Sequence, residues 1–555
     1  MDKKAKSISR RKALTLTVGA GTAAVLTPHA AAQVTTMKTP GVYIVEKDAF
    51  PNSVVEVATS IPVFIGYTEK AAYEDKALSL VPMKIVSSAQ YSKLFGDGPS
   101  QSYDLLGSAP PHGRVEKVSL GTDDDQRDYH LEQVATRYAL YDALRLFYDN
   151  GDGPCWIISV GSFSDEIDAD KLLAGVALVD QASDAAIMVI PDAARLAAED
   201  ASRVHIAMLE SCGARGNRFA ILDIVDGEKA RDASETDPID AFRDGLGSQH
   251  LSYGAAYYPW LETTLHQISD MKLETLTPGA RMILSNAVRE ELQAGHDDDL
   301  SADDIAYVGA IADPQHDPRA PPMPHPAEER ITPEDLKPEK LNARLREQSQ
   351  SFRAIMTKAA KLANVQPPSG AMAGIFAKVD NDRGVWHAPA NVGVASVNQP
   401  MVTLNNDAQS DLNTPLNGKA VNAIRTFQNL GTLVWGARTL DGNSLDWRYI
   451  NVRRTVMMIE QSIEATAQAF VFEPNNASTW VTIKAMISNY LTDIWKQGGL
   501  AGATPSDAFS VQVGLGSTMT GQDVLDGKMR ISVNVAVSRP AEFIVISFEQ
   551  QMQQS

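Results

Sequence analysis

Three groups of residues in this sequence have the types and spacing that chemistry needs. The first is Asp380-Asn381-Asp382-Arg383-Gly384, which begins like a calcium loop, with alternating oxygen ligands ahead of a glycine. A third acidic ligand and the closing glutamate are missing, and Arg383 puts a positive charge where a dication would sit. The residues predict a turn held by aspartate side chains between two packed segments. The second group, Gly514-Leu515-Gly516 with Gly521, outlines a phosphate-cradling loop. Met519 takes the third glycine position, five residues rather than four separate Gly521 from Gly527-Lys528, and Met529 stands where Ser or Thr would bind magnesium. A connection between strands is expected there instead.

The third group is Asp192, Asp223 and Asp226, with His205 as partner. These aspartates lie at or just beyond the ends of two apolar runs, where a doubly wound sheet binds its ligands. The structural expectation is that Asp192 caps the next helix and the other two stabilise a turn. The alternative is an α/β enzyme with an acidic site at its strand ends. HExxH, GxSxG, CxxC and kinase-like sets are absent, and the 10 histidines are scattered. Two cysteines, Cys155 and Cys212, make neither a disulfide framework nor a four-thiolate metal site. No catalytic, cofactor-binding or metal residue is assigned, and Trp386, Met457, Met458 and Trp480 are expected in the core.

The elements that would position these residues follow from periodicity. Thr59–Glu69 reads as a strand, and Met83–Gly96 as a strand then a short helix. Val134, Tyr138, Tyr141, Leu144 and Tyr148 share a helical face that ends at Asn150-Gly151. Strands at Cys155–Val160, Ala185–Ile190 and Phe219–Ile224 then alternate with helices around Asp170–Leu178 and Ala193–Ser211, and Tyr253–Leu261 is a further strand. Near-continuous apolar strands between amphipathic helices predict a parallel sheet covered on both faces. Residues 225–250 and 286–340 are acidic and Pro-rich and read as surface excursions or linkers.

The C-terminal third is strongly patterned. Val452, Val456, Ile459, Ile463, Ala467 and Phe470 form one helical stripe that Pro474 stops. Ser478 is expected to cap a second helix striped by Trp480, Ile483, Ile487, Leu491 and Ile494, which Gly498-Gly499 end. Two strand-like segments flank the Gly514–Gly527 loop. Ala541–Glu549 is apolar on both faces and so demands burial on both sides.

A chain of 555 residues, 44% hydrophobic and 21% charged, has enough length for more than one core. A net charge of −19 disfavours binding to a phosphate backbone. Residues 1–33 are basic, carry Arg10-Arg11 and a mild apolar run, and offer Ala30-Ala31-Ala32 as a cleavage site. They resemble a twin-arginine export signal, with Ser9 and Leu14 in place but Ala13 where Phe is usual; the alternative is a disordered basic tail. After them no stretch reaches the ~20 apolar residues of a membrane span.

Five blocks in order resemble contractile tail sheath proteins, those of contractile phages, phage-tail-like bacteriocins and extracellular contractile injection systems. They are "TPGVYIVEKDAFPNSVVEVATSIPVFIGYTE", "PMKIVSSAQYSKLFG", "ALRLFYDNGDGPCWIISVG", "PPSGAMAGIFAKVDNDRGVWHAPAN" and "DWRYINVRRTVMMIEQSIEATAQAFVFEPNN". The resemblance runs from about Lys38 to the C-terminus, and "YGAAYYPWL" and "RFAILDIVDG" lean towards the injection-system branch. The export-like start and the acidic excursions depart from the family pattern.

The resemblance implies a mixed α/β and α+β fold: a sheath core of mixed sheet and helices, an inserted doubly wound region, and extended terminal arms. The implied division is a signal-like or disordered tail (1–33), an N-terminal arm and linker (34–58), the inserted region (59–365), the conserved core (366–540) and a C-terminal arm strand (541–555). Arm residues lent to neighbouring subunits would be Thr39, Pro40, Gly41, Val42, Tyr43, Ile44 and Val45, and Phe543, Ile544, Val545, Ile546 and Phe548. Pro368, Gly370, Gly374, Asp380, Arg383, Gly384 and Trp386 would join the inserted region to the core. The implied partners are further copies of the chain in stacked rings, an inner tube, a baseplate and a tail terminator. Nucleic acid and direct membrane insertion are not implied. The helix Ser478–Gln497 is a candidate face for the tube. Assembly in the bacterial cytoplasm is implied, with export through residues 1–32 as the alternative.

Overall fold

The computed structural model describes residues 54–543 except 75, 111–113, 123–125, 135–136, 233–236, 295–299, 314–331 and 333–334. The signal-like start and the expected arm strand Thr39–Val45 therefore lie outside the described residues. So does the C-terminal arm from Ile544 on, leaving Phe543 its first described member.

Apolar runs in the sequence assemble into one nine-stranded mixed sheet. In spatial order its strands are Val392–Gly393, Gly431–Val434, Asn422–Phe427, Gly254–Tyr258, Phe219–Asp223, Ile187–Val189, Pro62–Thr68, Cys155–Ser162 and Met83–Ile85. From Asn422–Phe427 to Cys155–Ser162 neighbouring strands are parallel, and antiparallel strands close both sides. Pro62–Thr68 is buried throughout: Val63, Ile65 and Tyr67 face one core cluster, Phe64 the other. A strand covered on both faces needs apolar side chains in both registers, so its sequence shows no alternation. Helices Ala169–Val176, Ala198–Arg215 and Pro238–Gly245 cover one face; Ser88–Phe95, Leu140–Asn150 and Ser369–Arg383 cover the other. The sheet passes through the expected division at residue 365, because Tyr257 and Tyr258 pair with Asn422 and Ala423.

Several boundaries differ from expectation. The helix expected from Val134 starts at Leu140; Val134 itself is exposed just past the strand Arg127–Gln133. Ala193 lies in a 3-10 turn, Pro191–Arg195, and the long helix begins at Ala198. The second C-terminal helix, Ala477–Lys496, is capped by Asn476 rather than Ser478: the Asn476 side chain accepts from both Ser478 N and Thr479 N. In the first, Ile450–Ala467, the buried side carries Arg454, Thr455, Ser462 and Thr466 while Val456 and Ile463 are half-buried.

The described parts of the two excursions are built largely from ordered elements. In the first, Asp237 caps the helix Pro238–Gly245, which buries Ile239 and Phe242. The described parts of the second belong to a separate core cluster. There the antiparallel strands Tyr103–Leu106, Arg127–Gln133 and Val115–Leu120 pack with helices Pro278–Gln293, Ala302–Ala312, Pro338–Gln348 and Gln350–Ala363. Their charged outer faces dominate the composition, and only the inward stripe (Leu284, Val288, Tyr307, Ile311, Leu345) marks the packing.

Candidate functional site

Asp192 and Asp223 do stand at strand ends, but the fold consumes them. Asp192 is fully buried; its Oδ2 accepts from Tyr67 N at 2.8 Å and its Oδ1 from Ala139 N at 2.6 Å. It thus caps Leu140–Asn150, which precedes it in sequence, rather than the helix that follows. Gly66 permits this, since a Cβ there would lie 2.4 Å from Asp192 Oδ2. Asp223 accepts from Ser369 N at 2.9 Å and from Ser369 Oγ, and so caps Ser369–Arg383 rather than stabilising a local turn. Burial pushes Asp192 up to about 6 and Asp223 up to about 7 against the donors that favour their ionised forms. Asp226 is exposed and pairs with Lys229 at 2.9 Å. His205 lies edge-on to Phe242, and burial lowers it to about 4, which keeps the ring neutral. The cavity beside Arg137, Arg195, Asp142 and Gln366 encloses about 10 Å³, room for one water and no substrate.

The capped helices meet through glycine. A Cβ on Gly370 would stand 2.2 Å from Ala143 O, and one on Gly374 2.6 Å from Phe147 O. Contacts that rise together in both sequences make the helices parallel, both starting at the aspartate-bearing end of the sheet. Asp380–Arg383 is the last turn of this helix and not the expected loop, and Gly384 ends it at φ +92°. Asp380 is buried and bridges Arg454 through both oxygens, at 2.9 and 2.6 Å, while Thr59 Oγ1 donates to it at 2.7 Å. The carboxylate a cation would need is thereby neutralised. Pro368 O accepts from Met372 N at 3.0 Å, and Arg383 reaches the His387 ring at 3.4 Å on the surface. Trp386 packs against Gly384 and Gly499, and its carbonyl accepts from Asn451 Nδ2 at 2.9 Å.

Beyond the main sheet, Phe509–Val513 and Ile531–Val535 form an antiparallel pair packed on the helix Ala477–Lys496. Among the described residues no third strand joins it. The chain then returns to the body: Ser538 N donates to Gly499 O at 3.1 Å, and Ser538 O accepts from Asn451 at 3.1 Å. At Glu542, Oε1 accepts from Asn413 Nδ2 at 2.8 Å and Arg438 Nε at 3.1 Å, and Oε2 from Arg438 Nη2 at 2.6 Å and Tyr449 OH at 3.3 Å. Burial opposes the charge, but the Arg438 and Asn413 hydrogen bonds outweigh it and hold Glu542 below the usual glutamate range. Sequence reasoning missed Arg438 and Glu542, since partners 104 residues apart leave no spacing to read.

Residues 443–551 match the family model of the phage tail sheath C-terminal domain. Over 143 residues the chain is 29% identical to the tail sheath protein of Burkholderia phage BcepMu, covering 25% of this chain and 30% of that relative. It thus spans less than a third of the curated relative's length. The fold is similar over nearly its whole extent to the PVC sheath complex of an extracellular contractile injection system in the contracted state. That match has 25% identity and a TM-score of 0.55, and covers 93% of this chain and 99% of the other. The contracted helical sheath of the anti-feeding prophage matches at 27% identity and a TM-score of 0.54, covering 93% and 100%. With its C-terminal domain matched in sequence and its fold matched nearly end to end, the chain is homologous to contractile tail sheath subunits of phages and contractile injection systems.

Proposed function

We propose that this protein is the structural subunit of a contractile sheath, polymerising as stacked rings around an inner tube and shortening to drive that tube through a target envelope. The observation that carries the reading is the two-stranded pair Phe509–Val513/Ile531–Val535, whose outer edges take no third strand among the described residues. The helix Ala477–Lys496 supports the pair but leaves the backbone groups of its outer edges unpaired, and an added strand from another chain satisfies such an edge. The strand-patterned stretches Thr39–Val45 and Phe543–Phe548 have the composition to be lent in this way. Each backbone bond contributes about 1 kcal/mol net, so a single arm is a modest tether, while many arms make a mesh that survives as subunits rotate. Contraction is then the passage of rigid bodies from a metastable packing to a more compact one.

A chain 27% identical to this one belongs to the anti-feeding prophage baseplate structure, which supports a baseplate as partner beside the tube and a terminator. Assembly belongs in the bacterial cytoplasm, where these partners are made, and the reading assigns no catalytic step. Electron microscopy of purified protein tests it: striated tubes are expected from the full chain and none after truncation following Arg539. Compact particles that pair their last strand internally overturn it. N-terminal sequencing of protein from cells is expected to find residues 1–32 retained; removal would support export.

A further inference from the structure

We propose that Glu542 is the mooring of the C-terminal arm: by locking onto Arg438 it fixes where, and in which direction, the arm leaves the subunit to meet a second copy of this chain. The inference rests on the sheath reading and adds to it a specific positioning residue.

Three observations carry it. First, the site is built rather than incidental. Arg438 is 3% exposed and is itself fixed to the main sheet, its amide donating to Asn422 Oδ1 at 2.7 Å and its Nη1 to Asn413 O at 2.8 Å. Asn422 in turn donates to Ala256 O in the neighbouring strand. Both Glu542 oxygens are doubly satisfied by donors from Asn413, Arg438 and Tyr449, which come from three separate parts of the chain. A solvated surface glutamate has no need of four donors, and a bidentate guanidinium fixes its orientation as well as its place.

Second, the mooring marks a change in the chain. Ser538, four residues earlier, is still tied to Gly498 and Gly499 at the end of the helix Ala477–Lys496. Immediately after Glu542, Phe543 is 75% exposed, an aromatic side chain with little cover from its own subunit. The strand-patterned run Phe543–Phe548 therefore starts directly after this fixed point.

Third, the fixed point sits on the main sheet and not on the C-terminal strand pair. An arm rooted only at Ser538 would start four residues earlier and sweep a wider volume. Rooting it at Arg438 shortens the free tether, which raises the arm's effective concentration at a neighbour's open edge and reduces the ordering lost on docking.

The test uses the full chain with a nitroxide on Phe543→Cys; the native Cys155 and Cys212 are both buried and stay unlabelled in the folded protein. In the unassembled parent the label is expected to be motionally restricted, and in Glu542→Ala and Glu542→Gln to become mobile. Tube yield at fixed concentration is expected to fall at least tenfold in Glu542→Ala, with the melting transition of the body retained. Glu542→Gln, which keeps the side-chain volume and removes the charge, covers the case in which Glu542→Ala misfolds around the bared Arg438. A label equally mobile in parent and variants overturns the mooring, as does a released label with undiminished tubes. A restrained label in a parent that forms no tubes overturns the sheath reading and leaves the mooring standing.

Discussion

Asp223 shows how far a single carboxyl is bent to the needs of packing. Its folded value of about 7 lies above the 3.8 of a free side chain, so the folded state binds a proton that the unfolded state has released. Stability from this group is therefore fully present below about pH 4 and is lost as pH rises through 7. The gap corresponds to roughly 4 kcal/mol. Asp192, at about 6, acts in the same direction over a narrower range. Urea unfolding between pH 4 and 8 is expected to show stability falling with pH, with the fall markedly reduced in Asp223→Asn. An unchanged pH profile in that variant would remove Asp223 as the source. The Asp380–Arg454 bridge behaves differently, because both charges are buried and each neutralises the other. Asp380→Ala is expected to cost about 3–5 kcal/mol in urea unfolding by stranding Arg454. The double change Asp380→Leu with Arg454→Met should recover most of it.

At the scale of elements, the contact between Leu140–Asn150 and Ser369–Arg383 decides what each helix can carry. A methyl group on Gly370 has to displace the Ala143 backbone, which no rotamer change can relieve. Gly370→Ala is expected to cost about 1–3 kcal/mol in thermal or urea unfolding. Gly309, inside the helix Ala302–Ala312, has nothing within 4 Å of where a methyl group would stand, and Gly309→Ala should instead stabilise by about 0.5–1 kcal/mol. Equal effects at both sites would contradict the close-packing account. One of these two packed helices is legible in the sequence and the other is hidden. Leu140–Asn150 announces itself through Leu144 and Tyr148, whereas Ser369–Arg383 is buried nearly all round and rich in Gly and Ala, so it shows no stripe. Its last turn, Asp380–Arg383, therefore reads as a loop. The strands of the main sheet are readable because both faces are apolar. The strand "RDYHLEQ" and the helix "PEKLNARLREQ" are not, because only one side of each is covered. The caps are beyond reach for another reason: Asp223 and Ser369 stand 146 residues apart, and only the finished sheet brings them together.

At the scale of the whole molecule, two forces with different salt dependence compete during assembly. The chain carries a net charge of −19, so bringing copies together in the proposed stacked rings would accumulate like charge, and that repulsion would oppose the polymer. On the proposed sheath reading, lent strands would hold copies together through backbone hydrogen bonds between neutral groups and through burial of side chains such as Phe543, neither of which salt weakens. The Debye length shrinks from about 30 Å at 0.01 M to about 10 Å at 0.1 M, enough to screen repulsion between neighbouring subunit surfaces. The Arg438–Glu542 mooring is screened far less, since Arg438 is 4% and Glu542 21% exposed at the side chain. Sedimentation of tubes at fixed protein concentration is therefore expected to rise as sodium chloride goes from about 10 to 300 mM, a span set by that screening length. Glu542→Ala should show nearly the same upward slope from a lower baseline, because it removes the mooring and takes only one unit from the net charge of −19 that salt screens. Tubes that dissolve as salt rises would mean that complementary charge, rather than lent backbone, holds the copies together.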